Sequence, residues 1–432
     1  MHLKPKSFSG LINNLRRMVR ITPFKGHVAE QSKVDKIIAP AYDVINSEEA
    51  RNIAQGNEFS FLHVNKPEID LPPETDLYSE QVYQKGKDNL QDFISKGFLV
   101  QEAEDIVYIY ALTMEGRTQF GIVAGASVDD YENDHIKKHE LTRKKKEEDR
   151  TKLTDIQGAN AGPVFLTYTA QEAIDAIVAS VCQRPSYGDV TCDDGVRHQL
   201  WKCTPEESQA LVGHFERVSH TYIADGHHRA ASAFNVGKIR KERALKEGKQ
   251  VSGNEDFNYF LSILFPHNQL KIYDYNRVLK DLNGKTPEEL LEALKDSFEV
   301  APTDNPRPPQ KHSFTLFLNN QWYLLKLKPE RITGSDPVSL LDSQLLTLNC
   351  LAPIFGIEDL TTSERIDFVG GIRGLQELER RCSEDCVAAF ALYPVAVEEV
   401  MAIADARQIM PPKTTWFEPK PRSGMVVRVF NN

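Results

Sequence analysis

The chain lacks the sequence features of a membrane, secreted or zinc-binding protein. No apolar run in its 432 residues approaches the roughly 18 residues that a bilayer-spanning helix needs. Its six cysteines include no Cys-x-x-Cys pair, so neither a zinc site nor a disulfide framework is predicted; they are Cys182, Cys192, Cys203, Cys350, Cys382 and Cys386. We therefore expect a soluble protein with reduced thiols in the cytoplasm, and no membrane partner.

Acidic residues outnumber basic ones, 62 to 52, so the formal net charge is -10. Phosphate backbones are held by basic surfaces, so this balance argues against a general nucleic-acid binder. Any anion site should be a local positive spot on an acidic protein. With 41% hydrophobic and 26% charged residues, the composition is that of an ordinary globular protein of about two or three domains.

Acidic residues are absent from residues 1–29, where six basic ones occur. A mitochondrial targeting segment has this composition, and Leu11, Ile12, Leu15 and Met18 can form an apolar helical stripe. An amphipathic helix docked on the body, or a loose basic tail, explains the same residues. Both interpretations of this basic extension, residues 1–20, stay open.

The most informative stretch is Tyr-Ile-Ala-Asp-Gly-His-His-Arg-Ala-Ala-Ser-Ala-Phe, residues 222–234. A short apolar strand precedes it and alanines at helical spacing follow it, so Asp225-Gly226 is predicted at a strand-to-helix turn. The first backbone N–H groups of a helix have no internal partner and attract anions. Asp225 can cap the helix, and Gly226 lets a ligand approach the backbone.

Three donors follow on the first turn of the predicted helix: His227, His228 and Arg229. Together they predict a phosphate-binding turn. A hairpin at Asp-Gly is the competing structure, but it needs a second strand that the alanine-rich run does not supply. Helix capping with solvent-facing histidines remains an alternative function for the same residues.

Asp43 emerges from a proline-positioned loop in Ala39-Pro-Ala-Tyr-Asp. Such a carboxylate is a candidate general acid or base. An Asx turn that starts a helix at Ser47 is an equally good interpretation.

The most charged stretch covers residues 135–150, and it predicts a solvated helix with ion pairs four residues apart. It also offers enough groups to bind an anion and supply a base: His139, Glu140, Arg143, Lys146, Asp149 and Arg150. Further along, Asn160 begins a turn into a buried strand. Trp416 lies in a proline-rich tail that either closes over a nucleotide or packs as structure.

The mixed order of strands and helices predicts an α+β fold. Hairpins are expected around Glu115-Gly116, Asp194-Gly195 and Asn319-Asn320, and a strand is expected at Phe61-Leu-His-Val. We expect a nucleotide-binding part over 21–282 and a C-terminal α+β part over 283–432 with the proline-rich closing loop.

Several separate motifs, in order, resemble the domain of unknown function 1015 family over about residues 21–431. Besides Lys146 and Asp149-Arg150, they are Ala39-Pro-Ala-Tyr-Asp-Val-Ile, His139-Glu-x-Thr, Ile223-Ala-Asp-Gly-His-His-Arg, Asn258-Tyr-Phe, Arg365-Ile-Asp-Phe-Val-Gly-Gly and Met410-Pro-Pro-Lys-Thr-Thr-Trp-Phe-Glu-Pro-Lys. The central turn is similar to that of the ParB/sulfiredoxin-like superfamily, whose members bind nucleotides and include free-serine kinases. The resemblance implies a ParB/sulfiredoxin-like core.

This resemblance implies that residues 225–229 hold nucleotide phosphates, with Asp43 or Glu140 as base and Asp225 as a Mg²⁺ ligand. The implied reaction moves a phosphoryl group from ATP or ADP to a hydroxyl amino acid, best guessed as free L-serine. His139, Lys146, Asp149, Arg150, Asn160 and Trp416 become candidate substrate or phosphate contacts. A non-catalytic nucleotide-binding regulator is the alternative, and a nuclease or partitioning factor is disfavoured by the acidic charge. The oligomeric state is open.

Overall fold

A computed structural model describes residues 18–430. The prediction for the first seventeen residues of the basic extension lies outside them. The described residues form two compact units: the first holds residues 18–136, 142–266 and 421–430, and the second holds 137–141 and 267–420. The predicted division of the chain into parts over 21–282 and 283–432 stays a prediction.

Short strands occur in both units. In chain order the strands are β1 (Ile21–Thr22), β2 (His27–Ala29), β3 (Leu99–Gln101), β4 (Tyr108–Met114), β5 (Arg117–Ser127), β6 (Ile136–Lys137), β7 (Ala159–Asn160), β8 (Val164–Tyr168), β9 (Gly188–Thr191), β10 (Arg197–Lys202), β11 (Thr221–Asp225), β12 (Tyr259–Pro266), β13 (Ile272–Tyr273), β14 (Tyr275–Leu279), β15 (Phe298–Pro302), β16 (Ser313–Leu318), β17 (Gln321–Leu327), β18 (Ile366–Gly370), β19 (Ala388–Leu392), β20 (Trp416–Phe417) and β21 (Val426–Val429).

Helices are interspersed with these strands, which confirms the predicted α+β class. They are α1 (Val34–Ile37), α2 (Ser47–Ala54), α3 (Leu62–Asn65), α4 (Glu80–Ser95), α5 (Val128–Glu132), α6 (Lys144–Gln157), α7 (Glu172–Val181), α8 (Pro205–Phe215), α9 (His227–Lys246), α10 (Pro287–Leu294), α11 (Asp342–Leu346), α12 (Ala352–Phe355), α13 (Gln376–Glu384) and α14 (Val397–Asp405). Among the described residues, no helix has the length and apolar character needed to cross a bilayer.

The first unit is built on a large mixed sheet with strand order β11-β8-β12-β5-β4-β10-β9, to which β1 adds beside β5. Strands β8 and β12 run parallel, with Val164 opposite Ser262, whereas β11 pairs antiparallel with β8. The central strands are buried on both faces, and the apolar side chains of one face join one core. A smaller sheet has the order β3-β2-β21-β7.

Predicted hairpins are confirmed in both units. Glu115 and Gly116 join β4 to β5 with φ of 53° and 75°, and Asn319 and Asn320 join β16 to β17 with φ of 49° and 58°. These residue types tolerate positive φ, which two-residue hairpin turns require. The second unit's sheet has the order β15-β17-β16-β19-β14-β18 and covers its own apolar core.

Two sequence predictions of secondary structure are wrong. The predicted strand at Phe61 is the single helical turn α3, in which the Lys66 N–H bonds to the Leu62 carbonyl at 2.8 Å. The predicted helix over residues 135–150 begins only at Lys144 and continues to Gln157, because Ile136 and Lys137 are buried in strand β6 instead. Tertiary burial overrides local propensity at both places.

Candidate functional site

The site is built on the turn between β11 and α9, where the sequence predicted it. The register of β11 against β8 shifts between Ile223 and Asp225, and such a bulge re-aims the side chain that follows. Gly226 then occupies the N-cap position with φ of 96°. The residue at the N-cap position is therefore Gly226, which has no side chain to cap with, and capping by the Asp225 carboxylate stays a prediction.

Arg229 organises the turn. Its Nη2 lies 2.5 Å from Oδ2 of Asp225 and 3.5 Å from Oδ2 of Asp43, and its Nη1 donates to the carbonyl of Pro163. Burial lowers the pKa of Arg229, but the carboxylates of Asp43 and Asp225 outweigh that effect and leave the pKa raised. The guanidinium is therefore a fixed positive charge with 11% of its side chain exposed.

Gly226 is required by two separate constraints. Its positive φ of 96° is costly for residues with a Cβ. A Cβ added there would also lie 3.0 Å from Cζ and Nε of Arg229. The guanidinium thus lies directly against the backbone of the turn, and the predicted close approach of a ligand to Gly226 stays a prediction.

Asp43 does not start the following helix. Asn46 caps α2 by accepting a hydrogen bond from the Glu49 N–H at 2.9 Å, and Oε2 of Glu49 accepts one from the Asn46 N–H at 2.7 Å. Asp43 is therefore not needed to start α2, because the capping box of Asn46 and Glu49 is complete without it. Asp43 stays 31% exposed and in contact with Arg229.

A second arginine, Arg150 on α6, lies against Tyr42, the residue that precedes Asp43. Cζ of Arg150 is 4.4 Å from the ring centroid of Tyr42, and its Nη2 is 2.7 Å from Oδ2 of Asp149. Asp149 is held in turn by the Tyr83 hydroxyl, which donates to Oδ1 at 3.1 Å. Burial opposes the charge of Arg150, but Asp149 and Tyr42 leave its pKa raised.

These elements surround a small cavity of about 40 Å³ in the first unit. Its lining includes two arginines, an apolar wall and several amides, namely Tyr42, Asn65, Arg150, Leu153, Thr154, Gln157, Asn160, Ala161, Gly162, Val164, Arg229, Ser232, Phe260 and Leu261. Three buried polar atoms in this lining have no hydrogen-bond partner within residues 18–430: Nδ2 of Asn65, Nε of Arg229 and Oγ of Ser232. Buried polar groups are normally satisfied, so these atoms mark the wall as one that suits a polar ligand.

Of these lining residues, the sequence indicated Arg150, Asn160 and Arg229 as site candidates. It did not indicate Tyr42, Asn65 or Ser232. Tyr42 adjoins Asp43, and Ser232 follows Arg229 by three residues, one helical turn along α9. Those two spacings were available signals. Asn65 had none, because the stretch around it was taken for a strand.

The charge of the site differs from the expected positive spot. Each arginine carries a carboxylate partner, with Asp225 and Asp43 on Arg229 and Asp149 on Arg150. A bare phosphate would meet these acids as well as the guanidinium groups. A nucleotide bound with a divalent cation matches such a mixed set better, because carboxylate oxygens are the ligands that Mg²⁺ takes.

The remaining turn residues are placed as predicted but engaged differently. His227 is buried at the first position of α9. Nε2 of His228 accepts a hydrogen bond from the Arg143 backbone N–H at 3.0 Å, so that nitrogen is unprotonated. Lys146 is exposed on α6.

Three other candidates belong to the second unit. His139 is fully buried, and its carbonyl accepts the Met410 N–H at 2.9 Å. Glu140 is exposed, with Oε1 4.0 Å from Nε2 of His139. Trp416 donates to Oε1 of Glu418 at 2.9 Å and packs edge-on against Tyr275. Their functional roles stay predictions.

The fold and the site define an α+β protein with an arginine-carboxylate cluster at a helix N-terminus. A model of one family, described as a protein of unknown function (DUF1015), matches residues 21–344. The chain belongs to this family, as the motifs predicted. No curated protein matches the chain.

Three solved structures resemble the chain at low similarity. A free serine kinase in complex with AMP is 16% identical, with a TM-score of 0.34 over 72% of this chain and 91% of that one. A conserved hypothetical protein from Pyrococcus furiosus is 16% identical, with a TM-score of 0.32 over 72% and 95%. SbnI with a C-terminal truncation from Staphylococcus aureus is 12% identical, with a TM-score of 0.36 over 71% and 87%.

Proposed function

We propose that the protein is a nucleotide-dependent phosphotransferase that moves a phosphoryl group from ATP or ADP to the hydroxyl of a small metabolite. One observation carries this proposal: Asp43 and Asp225 both contact Nη2 of Arg229 at the start of α9. Phosphoryl transfer needs phosphate donors, a divalent cation and a carboxylate near the attacking hydroxyl. The cluster supplies the residue types for all three.

Arg229 and the first turn of α9 would hold the nucleotide phosphates. Helix N-termini bind phosphate through backbone donors and the helix dipole, and a guanidinium adds charge-assisted hydrogen bonds. Mg²⁺, when bound, would neutralise phosphate charge, and Asp225 offers an oxygen ligand of the required kind. Arg229 would then exchange part of its contact with Asp225 for a phosphate oxygen.

Asp43 would accept the proton of the acceptor hydroxyl. It is part-exposed beside the guanidinium, and its neighbour Tyr42 lines the cavity together with Arg150 and Asn160. The cavity wall mixes amides, guanidinium groups and apolar side chains, which suits a small hydroxylated amino acid. Free L-serine giving O-phosphoserine is the specific acceptor that we propose, and Glu140 is the second candidate base.

The test is phosphorus NMR of the purified full-length protein with Mg²⁺ and either ATP or ADP, against a panel of hydroxyl amino acids and small alcohols. We expect a new phosphomonoester resonance with one acceptor, serine first. Consumption of nucleotide without any acceptor-dependent peak would contradict the acceptor assignment. An unchanged spectrum with every acceptor would contradict the kinase function itself.

A non-catalytic nucleotide-binding regulator is the second candidate, and the engagement of both carboxylates by Arg229 favours it. Asp43→Asn separates the two, because it removes the base and keeps the size of the side chain. For a kinase we expect turnover to fall about 100-fold or more while ATP affinity, measured by calorimetry, changes little. Asp92→Asn is the matched control, since Asp92 is 63% exposed on α4. Equal turnover in both variants would exclude Asp43 as base.

A further inference from the structure

The hairpin of β9 and β10 brings together three side chains of types that bind metal ions. None of them belongs to the arginine cluster described above. Sγ of Cys192, a carboxylate oxygen of Asp194 and a ring nitrogen of His198 all lie within 4.8 Å of one another. The turn of the hairpin fixes this geometry, because the Cys192 N–H bonds to the Val196 carbonyl at 3.0 Å. Cys192, directly after β9, and His198 on β10 therefore lie near each other.

His198 is prepared as a ligand by its surroundings. It is 1% exposed, and its Nδ1 lies 2.7 Å from the Tyr110 hydroxyl. Its Nε2 is buried with no hydrogen-bond partner in the described part of the chain. A bond from one ring nitrogen to a neighbour that leaves the other available is the usual arrangement of a metal-ligating histidine. A metal ion binds the neutral imidazole, through the lone pair of a ring nitrogen.

We propose that Cys192, Asp194 and His198 form a binding site for a divalent transition metal ion of the zinc class. Thiolate, imidazole and carboxylate are the donor set of zinc, and three protein ligands leave a fourth position for water. Hard ions such as Mg²⁺ prefer oxygen ligands alone. On binding, the Cys192 thiol releases its proton to solvent as the sulfur–metal bond forms, and the imidazole enters already neutral.

Arg422 competes with the metal ion. Its Nη2 lies 2.6 Å from Oδ2 of Asp194, and its side chain is 15% exposed. Asp194 coordinates only when this contact opens, and the guanidinium repels a cation near the site. The ion should consequently bind more tightly once the arginine is removed, which no purely structural role of the hairpin predicts. The sequence did not indicate this site, because its Cys-x-Asp-x-x-x-His spacing differs from the Cys-x-x-Cys pairs of common zinc motifs.

The test is titration of chelator-stripped, reduced full-length protein with Co²⁺, followed by absorption spectroscopy. We expect a sulfur-to-cobalt charge-transfer band in the near ultraviolet and ligand-field bands in the visible, both removed by Zn²⁺. Cys192→Ser should lose the charge-transfer band, and His198→Gln should weaken binding at least about tenfold. Arg422→Ala should tighten binding about tenfold, which corresponds to about 1.4 kcal/mol.

Cys182→Ser is the matched control, because Cys182 is another half-buried thiol of the first unit. It should keep both bands. Absence of a charge-transfer band in the wild-type protein, or its persistence in Cys192→Ser, would overturn the site. Unchanged affinity in Arg422→Ala would remove Asp194 from the ligand set. Circular dichroism checks each fold, and if His198→Gln does not fold, the Cys192 and Arg422 variants still decide.

Discussion

Two Asp-Gly dipeptides of the first unit follow strands and yet lead to different structures. Gly195 and Gly226 both have positive φ, 77° and 96°. After Asp194-Gly195 the chain returns as strand β10, whereas after Asp225-Gly226 it continues as the 20-residue helix α9. The dipeptide sets the local backbone, and the residues after it select the element. Val196-Arg-His-Gln-Leu-Trp follows Gly195, whereas an alanine-rich run follows Gly226.

This difference decides which turn suits an anion. In the hairpin, the Gly195 N–H donates to the Cys192 carbonyl at 2.8 Å and the Val196 N–H donates to Oδ1 of Asp194 at 3.1 Å. The turn thus uses its own donors. At α9 the N-cap residue is a glycine, and the helix that follows is 20 residues long. Because a helix dipole places positive charge at the N-terminus, the helix start is the better anion site of the two.

The largest expected effect comes from removing the arginine at the helix turn. Arg229→Ala deletes the group that contacts Asp43 and Asp225, and we expect phosphoryl transfer to fall at least about 100-fold. The fold should persist, because both carboxylates are part-exposed and water can replace the guanidinium. Turnover by phosphorus NMR and a thermal melt measure the two effects.

Arg197→Ala is the control for this prediction. Arg197 also pairs with an aspartate, since its Nη2 is 2.5 Å from Oδ2 of Asp189 on the hairpin. The control should keep full turnover. Equal losses in the two variants would mean that the loss reflects general destabilisation and would break the comparison of the two turns.

An intermediate effect is expected at the two glycines. Gly195→Ala places its Cβ in open space, so only the positive φ costs stability, about 1 kcal/mol. Gly226→Ala carries the same backbone cost and also sets a Cβ 3.0 Å from Cζ of Arg229. We expect Gly226→Ala alone to lower turnover, by at least about tenfold.

Denaturant unfolding and turnover, measured on both glycine variants, check this prediction. If Gly195→Ala lowers turnover as much as Gly226→Ala, the close approach of Arg229 to the turn has no functional meaning. If neither variant loses stability, alanine is accommodated at these positive φ angles without a measurable cost. The predicted loss of about 1 kcal/mol is then wrong.

The sequence predicted the parts of the site that depend on neighbouring residues. The turn at Asp225-Gly226 and the hairpin at Asp194-Gly195 are both local patterns, in which a glycine and the periodicity of the next segment are enough. Arg229 could be placed on the first turn of α9 for the same reason. The α+β class and the family follow from many such local signals taken together.

The contacts that complete the site could not be predicted in this way. Asp43 and Arg229 are separated by 186 residues, and only the tertiary fold brings them together. Asn46 and Asp43 are equally good caps by residue type, and the capping box with Glu49 decides between them. The cavity role of Asn65 depends on α3, where burial against other helices overrides a strand-like sequence.

The smallest expected effect is the pH dependence of the hairpin's own ion pair. Hydrogen bonds from Arg197 lower the pKa of Asp189, although partial burial opposes the shift. A lowered folded pKa means that the stabilisation is present above the ordinary pKa, about 3.8 to 3.9, and is lost as the pH falls through the folded value. Because Asp189 is 39% exposed, solvent screening holds the contribution below about 1 kcal/mol.

The wild-type protein should therefore melt slightly above Asp189→Asn at pH values from about 5 to 7, and the gap should close in stronger acid. Melting curves of both proteins across this range measure it, and a gap that widens on acidification would show that Arg197 stabilises the hairpin by some means other than its charge.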